Sequence, residues 1–322
     1  MSDLPSSVHI CEVGPRDGLQ IEPKVLSTQD KIRLIDALVG TGIREIEVGS
    51  FVNPKAVPQM ADSEDVINGL KMRDGVQYRA LWLNQRGLQR AIDNGRLHIN
   101  GMLTFTASET FVRRNTNRGI DQTFIEMPNW IKDYRAAGVP VDAVGVMAAF
   151  GCNFEGYIAV EKVVGLIERV DSVMQEHGTG IRRITLADTM GWANPMQIKR
   201  MIGSLRERWP DATIKLHLHD TRGAAVANAV AGLEMGVREF DSAIGGLGGC
   251  PFAGFKGAAG NVCTEDLVFT CEEMGVSTGI DLDRLAEVAR MAEKLVEHPL
   301  PGKVMKGGST TRFKSSALAV EA

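Results

Sequence analysis

The feature that most constrains this chain is a beat repeated along its length: a short apolar run, a turn, a helical stretch, then the next apolar run. Eight runs with strand character occupy residues 8–13, 43–48, 76–83, 97–105, 141–149, 182–187, 213–219 and 239–243. Apolar residues at helical spacing predict helices over 27–39, 85–93, 120–137, 157–175, 195–208 and 224–235 between them, with 265–274 and 282–297 after the last. Ser27 is placed to cap the first, Gly40 and Gly42 end it, and Pro195 suits a first turn. The connection from 48 to 76 carries a long loop. Strict strand–helix alternation means parallel pairing with right-handed crossovers. Eight such units without a dividing linker point to an α/β fold, a (β/α)8 TIM barrel with additional C-terminal helices. The expectation is one catalytic domain over 1–322, with the barrel at about 8–275 and a C-terminal helix and tail at about 276–322. Periodicity does not display closure, so an open sheet is the alternative. From Gly302 onward Lys303, Lys306 and Arg312 stand among small residues, a tail either disordered or packed on a neighbour.

Composition narrows the function. A net charge of −4 with no basic block argues against a nucleic-acid or anionic-membrane partner. No apolar run approaches the ~20 residues of a membrane span. The first seven residues lack the features of a signal peptide. Five cysteines, none in a C-x-x-C pair, suggest a reduced, cytoplasmic protein.

Within the seventh strand, Lys215-Leu216-His217-Leu218-His219-Asp220 alternates strictly, so His217 and His219 project from one face. Two imidazoles so placed can share a metal ion, or each can have its own hydrogen-bond partner. In a barrel of this type the active site lies at the carboxyl ends of the strands. Arg16 and Asp17 follow the first strand, Glu47 closes the second and Asp188 the sixth. After the eighth come Gly245-Gly246-Leu247-Gly248-Gly249-Cys250-Pro251 and Gly260-Asn261. Singly, each reads equally well as a turn residue, helix cap or local ion pair. Together, Asp17, His217 and His219, with the amide oxygen of Asn261, make a mixed oxygen and nitrogen donor set with open positions, suited to Mg²⁺ or Mn²⁺. The glycine run suits a mobile loop carrying Cys250, whose thiol is either an acid–base group over the metal or a small packing residue. No G-x-G-x-x-G or P-loop lysine is present, which argues against a dinucleotide or nucleoside triphosphate.

Longer motifs are more specific: E-V-G-P-R-D-G-L-Q at 12–20, S-F-V-N-P-K-A-V-P-Q-M at 50–60, A-D-T-M-G at 187–191, H-L-H-D-T-R-G at 217–223, G-L-G-G-C-P at 246–251 and G-N-V-C-T-E-D at 260–266. On these motifs, over about residues 8–282, the chain resembles the 3-hydroxy-3-methylglutaryl-CoA lyase family, within the metallolyase barrels that include isopropylmalate and homocitrate synthases. The resemblance implies a retro-Claisen cleavage of an acyl-CoA thioester, giving acetyl-CoA and acetoacetate. It implies Asp17, His217, His219 and Asn261 as ligands of a divalent metal, Mg²⁺ or Mn²⁺. Arg16 would neutralise the developing enolate oxygen, Glu47 and Asp188 would support Arg16, the substrate hydroxyl or proton transfer, and Cys250 would be the catalytic thiol. It also implies a homo-oligomer. The chain departs from the family pattern at Ala56, Thr185 and Ala187 and in an apparent insertion, Gly254-Phe255. These leave the metal positions intact but can reshape the acyl pocket, so a related 3-hydroxyacyl-CoA such as citramalyl-CoA is an alternative substrate. A condensing acyltransferase of the synthase branch is the other alternative; only about 40 residues follow Leu282, too few for the further domain those enzymes usually carry.

Overall fold

The computed structural model describes residues 4–249 and 260–310. Eight parallel strands form one sheet: β1 (His9–Glu12), β2 (Glu45–Ser50), β3 (Gln77–Leu81), β4 (Gly101–Thr106), β5 (Val141–Met147), β6 (Arg183–Asp188), β7 (Thr213–Leu218) and β8 (Glu239–Ser242). Their spatial order is β3-β2-β1-β8-β7-β6-β5-β4, so the first strand in sequence pairs with the last, His9 opposite Glu239 and Glu12 opposite Ser242. This is the cyclic order of a barrel, opened at one seam between β3 and β4. A flat sheet in that order would separate β3 from β4 by seven strand spacings, about 34 Å. Instead the two edges meet, with the His98 amide donating to the Tyr78 carbonyl at 2.7 Å. The chain therefore has a TIM-barrel-like fold. The expected strand at 97–105 enters its ladder only at Gly101, because that ladder is made with β5 and Gly101 pairs with Val141, the first residue of β5.

Helices lie between the strands: α1 (Thr28–Val39), α2 (Ser63–Gly69), α3 (Gln85–Asn94), α4 (Glu109–Thr116), α5 (Ile120–Ala136), α6 (Val160–Glu176), α7 (Pro195–Arg208) and α8 (Ala225–Glu234). After them come α9 (Thr264–Glu273), α10 (Leu282–Val296) and the short α11 (Val304–Gly307). Ser27 caps α1 by accepting from the Asp30 amide, and α7 opens on Pro195 behind a full capping box of Asn194 and Gln197. Two expectations are corrected. The sixth helix starts at Val160 rather than 157, because Gly151–Cys152 and Gly156–Tyr157 pair as a small antiparallel hairpin around a left-handed Gly156. As far as residue 310 the tail packs on its own barrel: Val304 and Met305 are buried, and Asp266 accepts from the amides of Lys303 and Val304.

The strands separate two environments. Leu216 of β7 packs outward on α8, so closely that a Cβ at Gly232 would lie 2.6 Å from its Cδ1. Phe240 of β8 is fully buried beside it. The alternate residues point into the lumen and are charged: Glu45, Lys215 and Asp241 are joined by ion pairs across β2, β7 and β8. The outer layer thus supplies the hydrophobic adhesion, and truncation there should be costly. Phe240→Ala is expected to cost about 3–5 kcal/mol, read as a lower midpoint in denaturant titration; an unchanged midpoint would show that the sheet–helix layer tolerates a cavity there.

Candidate active site at the carboxyl ends of the strands

The chain leaves β1 through a single π-turn over Gly14–Gly18, in which the amides of Asp17 and Gly18 both point at the Val13 carbonyl. Such turns recur at functional sites because they displace side chains from a regular helical path. Here the turn places Arg16 against Glu47, at the end of β2. Arg16 Nε donates to Glu47 Oε2 at 2.6 Å, Nη2 lies 2.5 Å from the same oxygen, and Nη1 donates to Asp17 Oδ1 at 2.7 Å. Burial works against the guanidinium charge, but the two carboxylates outweigh it and keep Arg16 protonated.

Asp17 faces the end of β7. Its Oδ2 lies 3.9 Å from His219 Nε2 and 4.0 Å from His217 Nε2, and the two Nε2 atoms are 3.1 Å apart. Asn261 pairs with His219 in an isolated antiparallel bridge and donates its amide to Asp17 Oδ2 at 2.8 Å. Gln20 donates to the other oxygen at 2.8 Å. Burial pushes the Asp17 carboxyl up, but Arg16, the imidazoles and the Asn261 amide hold it below its ordinary value. Burial and then the His217 ring push His219 down to about 4, so it is neutral at pH 7 and its nitrogen lone pair is available.

These residues fit a metal ion on three counts. One carboxylate oxygen and two imidazole nitrogens converge within 4.0 Å, close to the span of a coordination sphere with bonds of about 2.1 Å. The amide oxygen of Asn261 is buried with no partner. His219 Nδ1 is likewise buried and unpartnered.

Not every sequence candidate joins the cluster equally. Asp188, at the end of β6, accepts from the amides of Trp192 and Ala193 at 2.7 and 3.0 Å, and burial pushes its carboxyl up to about 6. Both its oxygens thus hold the turn leading into α7. Cys250 and the Gly254-Phe255 insertion lie outside the described residues. The loop before them is tight: Gly248 has φ +100°, and a Cβ there would stand 2.8 Å from Asn261 Nδ2. Thr185 and Ala187 sit on β6, Ala187 directly opposite His217, whereas Ala56 is exposed in the turn after β2.

Sequence reasoning missed four residues around the cluster, of which Glu12, Glu45 and Lys215 are buried and Asp241 is partly buried. Asp241 accepts from His217 Nδ1 at 3.2 Å. Lys215 and Glu45 stand behind it. Glu12, fully buried, accepts from the amides of Gly14 and Ile244 and from the Thr264 hydroxyl at 2.7 to 2.9 Å, and burial pushes its carboxyl up to about 7. A signal was present: strands buried on both faces normally read as continuous apolar runs, yet Glu45-Ile46-Glu47, Lys215-Leu216-His217 and Glu239-Phe240-Asp241 alternate charge with hydrocarbon.

A barrel of parallel strands with this cluster at its carboxyl end belongs to a defined class: the chain is a member of the HMGL-like family, whose model matches residues 7–292. This agrees with the resemblance carried by the motifs. Hydroxymethylglutaryl-CoA lyase YngG of Bacillus subtilis is 41% identical over 313 residues, 97% of this chain and 99% of that protein. The (R)-citramalyl-CoA lyase of Chloroflexus aurantiacus is 39% identical over 312 residues, 94% of this chain and 95% of that one. A solved HMG-CoA lyase of Acinetobacter baumannii, in complex with coenzyme A and 3-methylmalate, superposes with a TM-score of 0.85 at 39% identity, covering 97% of this chain and 98% of that one.

Below the glycine loop, Glu265 gives a pH signature. Its Oε2 accepts from the Gly245 amide at 3.0 Å, and burial outweighs that bond and the neighbouring Cys263 side chain and pushes the carboxyl from 4.5 up to about 7. A raised acid pKa favours the native state at low pH; that contribution is complete below about 4.5 and is lost as pH rises through about 7. Glu265→Gln keeps an acceptor for Gly245 and cannot ionise. Its stability relative to the unaltered chain should therefore improve from pH 4.5 to pH 7.5, by roughly 3 kcal/mol at most. Parallel stability curves for the two proteins across that window would show that Glu265 titrates normally.

Proposed function

We propose that this protein is a divalent-metal-dependent carbon–carbon lyase that cleaves 3-hydroxy-3-methylglutaryl-CoA into acetyl-CoA and acetoacetate. The observation that carries the reading is the convergence of Asp17 with two imidazole nitrogens beside the Arg16–Glu47 pair at the carboxyl end of the barrel. The family, and a relative solved with coenzyme A, support an acyl-CoA thioester as the substrate class.

In this reading Asp17, His217, His219 and Asn261 hold the cation, Mg²⁺ or Mn²⁺. When bound, it lowers the pKa of a substrate hydroxyl and fixes its orientation. The chain supplies the rest. A base takes the tertiary hydroxyl proton, the carbonyl of the ketone product forms as the bond to the thioester α-carbon breaks, and the electron pair of that bond moves onto the thioester as an enolate, which then takes up a proton. Arg16 still has N–H bonds free after serving Glu47 and Asp17, and it offers fixed positive charge to the enolate oxygen. Glu47 fixes the plane of that guanidinium. Asp188 fixes the turn beside Ala187, the lumen position opposite His217. Cys250, on the resemblance alone, is the thiol that exchanges a proton with the departing carbon. No helix among the described residues is long and apolar enough to cross a membrane. Cys11, Cys152, Cys263 and Cys271 are all free, which supports a reducing, cytoplasmic setting.

A second reading, cleavage of citramalyl-CoA, is favoured by one observation, the 39% identity to a lyase so named. Both are tested by one panel of 3-hydroxyacyl-CoA thioesters, read as acetyl-CoA release with Mg²⁺ and with Mn²⁺. The expectation is highest kcat/KM on 3-hydroxy-3-methylglutaryl-CoA, complete loss on chelation, and recovery on adding back the metal. Arg16→Met should lower kcat by about 10²–10³-fold. Faster turnover of citramalyl-CoA would move the assignment to the second reading. Release of free CoA from acetyl-CoA and an α-keto acid, with no acetyl-CoA formed from any member of the 3-hydroxyacyl-CoA panel, would make the protein a condensing enzyme instead.

A further inference from the structure

The two imidazoles of the cluster are not supported alike. His219 Nδ1 has no partner, whereas His217 Nδ1 lies 3.2 Å from Asp241 Oδ2. Asp241 stands directly opposite His217 in the β7–β8 register, so the contact is built into the ladder. The carboxylate is itself clamped: Lys215 Nζ lies 2.6 Å from its other oxygen, Oδ1. Lys215 is fixed in turn by Glu45 Oε1 at 3.3 Å, and Glu45 is held by Arg79 and by His9 Nε2 at 2.6 Å. Side chains of β3, β2, β7 and β8 thus form a buried line of alternating charge that ends on one ring nitrogen.

An imidazole has two neutral tautomers, and only the one with its proton on Nδ1 offers an Nε2 lone pair to a cation. A carboxylate is acceptor-only, so a hydrogen bond to it selects that tautomer and fixes the ring plane. We propose that Asp241, clamped by Lys215, is a positioning residue for the cation site: it takes the Nδ1–H of His217 and so aims Nε2 at the space shared with Asp17 and His219. The inference rests on the cation-site reading above and adds to it the residues that preset one ligand.

The test is Mn²⁺ titration of the full-length, chelator-stripped protein, with free Mn²⁺ read by electron paramagnetic resonance and the metal-free melting midpoint recorded alongside. Asp241→Asn nearly conserves shape, yet its carboxamide gives its oxygen to the Lys215 ammonium and turns its NH₂ toward Nδ1, which selects the wrong tautomer. Mn²⁺ affinity should fall by about 10–100-fold. The double variant Lys215→Met with Asp241→Asn removes the competing ammonium, so the amide oxygen is free to accept from Nδ1–H and most of the lost affinity should return. A merely structural role would make the double variant worse than the single one. Should Asp241→Asn not fold, Asp241→Ser is smaller, cannot overpack, and gives up tautomer control, so it should weaken Mn²⁺ binding in the same direction. Undiminished Mn²⁺ affinity in the folded single variant, or a double variant that binds no better than Asp241→Asn, overturns the inference while leaving the cation site standing. An unaltered protein that binds no Mn²⁺ overturns both.

Discussion

Glu12 sits without solvent where the first and last strands of the barrel leave their shared ladder. Three donors reach it: the amide of Gly14 at the start of the π-turn, the amide of Ile244 after β8, and the hydroxyl of Thr264 at the start of α9. The first carries Arg16 and Asp17, the second leads into the glycine run, and the third directly follows Asn261. One carboxylate therefore fixes, relative to one another, the three stretches from which much of the candidate site is assembled. Gly14 is forced by the same contact, since a Cβ there would lie 2.5 Å from Glu12 Oε1. A buried acceptor left unpaired costs about 1–3 kcal/mol. The arrangement therefore favours closure of β1 on β8 with all three donors in place over any partial approach.

The lumen below this junction is the less usual part of the molecule. Barrels of this kind are commonly filled by layers of branched apolar side chains, whereas here Glu45, Arg79, Lys215 and Asp241 occupy inward positions. Burying charge is costly, and pairing in a low-dielectric interior offsets it only when the geometry is good. The register supplies that geometry: Cys11 stands opposite both Glu45 and Asp241, and Asp241 opposite His217. Adhesion comes from the outer layer, where Leu216 and Phe240 meet α8. The inner layer gives up hydrophobic stabilisation and in exchange holds a fixed electrostatic floor under the cluster.

How much of this could be read from the sequence depends on how far apart the interacting residues lie. The eight-strand beat was local, and so were the Ser27 cap, the Pro195 start and the shared face of His217 and His219. The grouping of Arg16, Asp17, Glu47 and Asn261 near those histidines needed one further step, that strand ends of a barrel face one another. What no local pattern carried was which charge meets which. Lys215 and Glu45 are 170 residues apart and meet only because β2 and β7 face each other across the lumen. Periodicity places Tyr157 in a helix, whereas the structure takes it into a hairpin beside Trp192, an edge-on ring contact that sequence spacing does not encode. The β3–β4 seam is a property of the closed sheet and leaves no trace in either strand.

The charges around the two imidazoles also bear on what state the site favours. Arg16, Arg79 and Lys215 are opposed by Asp17, Glu47, Glu45 and Asp241, one carboxylate more than there are cations. Burial holds His219 neutral, whereas the hydrogen bond and charge of Asp241 outweigh burial at His217 and raise its pKa, so that ring works against the surplus. Uncompensated negative charge is unfavourable away from water, and a divalent cation held by Asp17, His217, His219 and Asn261 would oppose it and, in the proposed reaction, favour the ionised substrate hydroxyl. In the proposed reaction Arg16 would add to this: Glu47 and Asp17 already fix its orientation, so it would not need to reorganise as charge appeared on the thioester oxygen. In the proposed reaction the lumen carboxylates would act without touching the substrate: they favour a bound divalent cation above them, and through it the ionised form of the substrate hydroxyl.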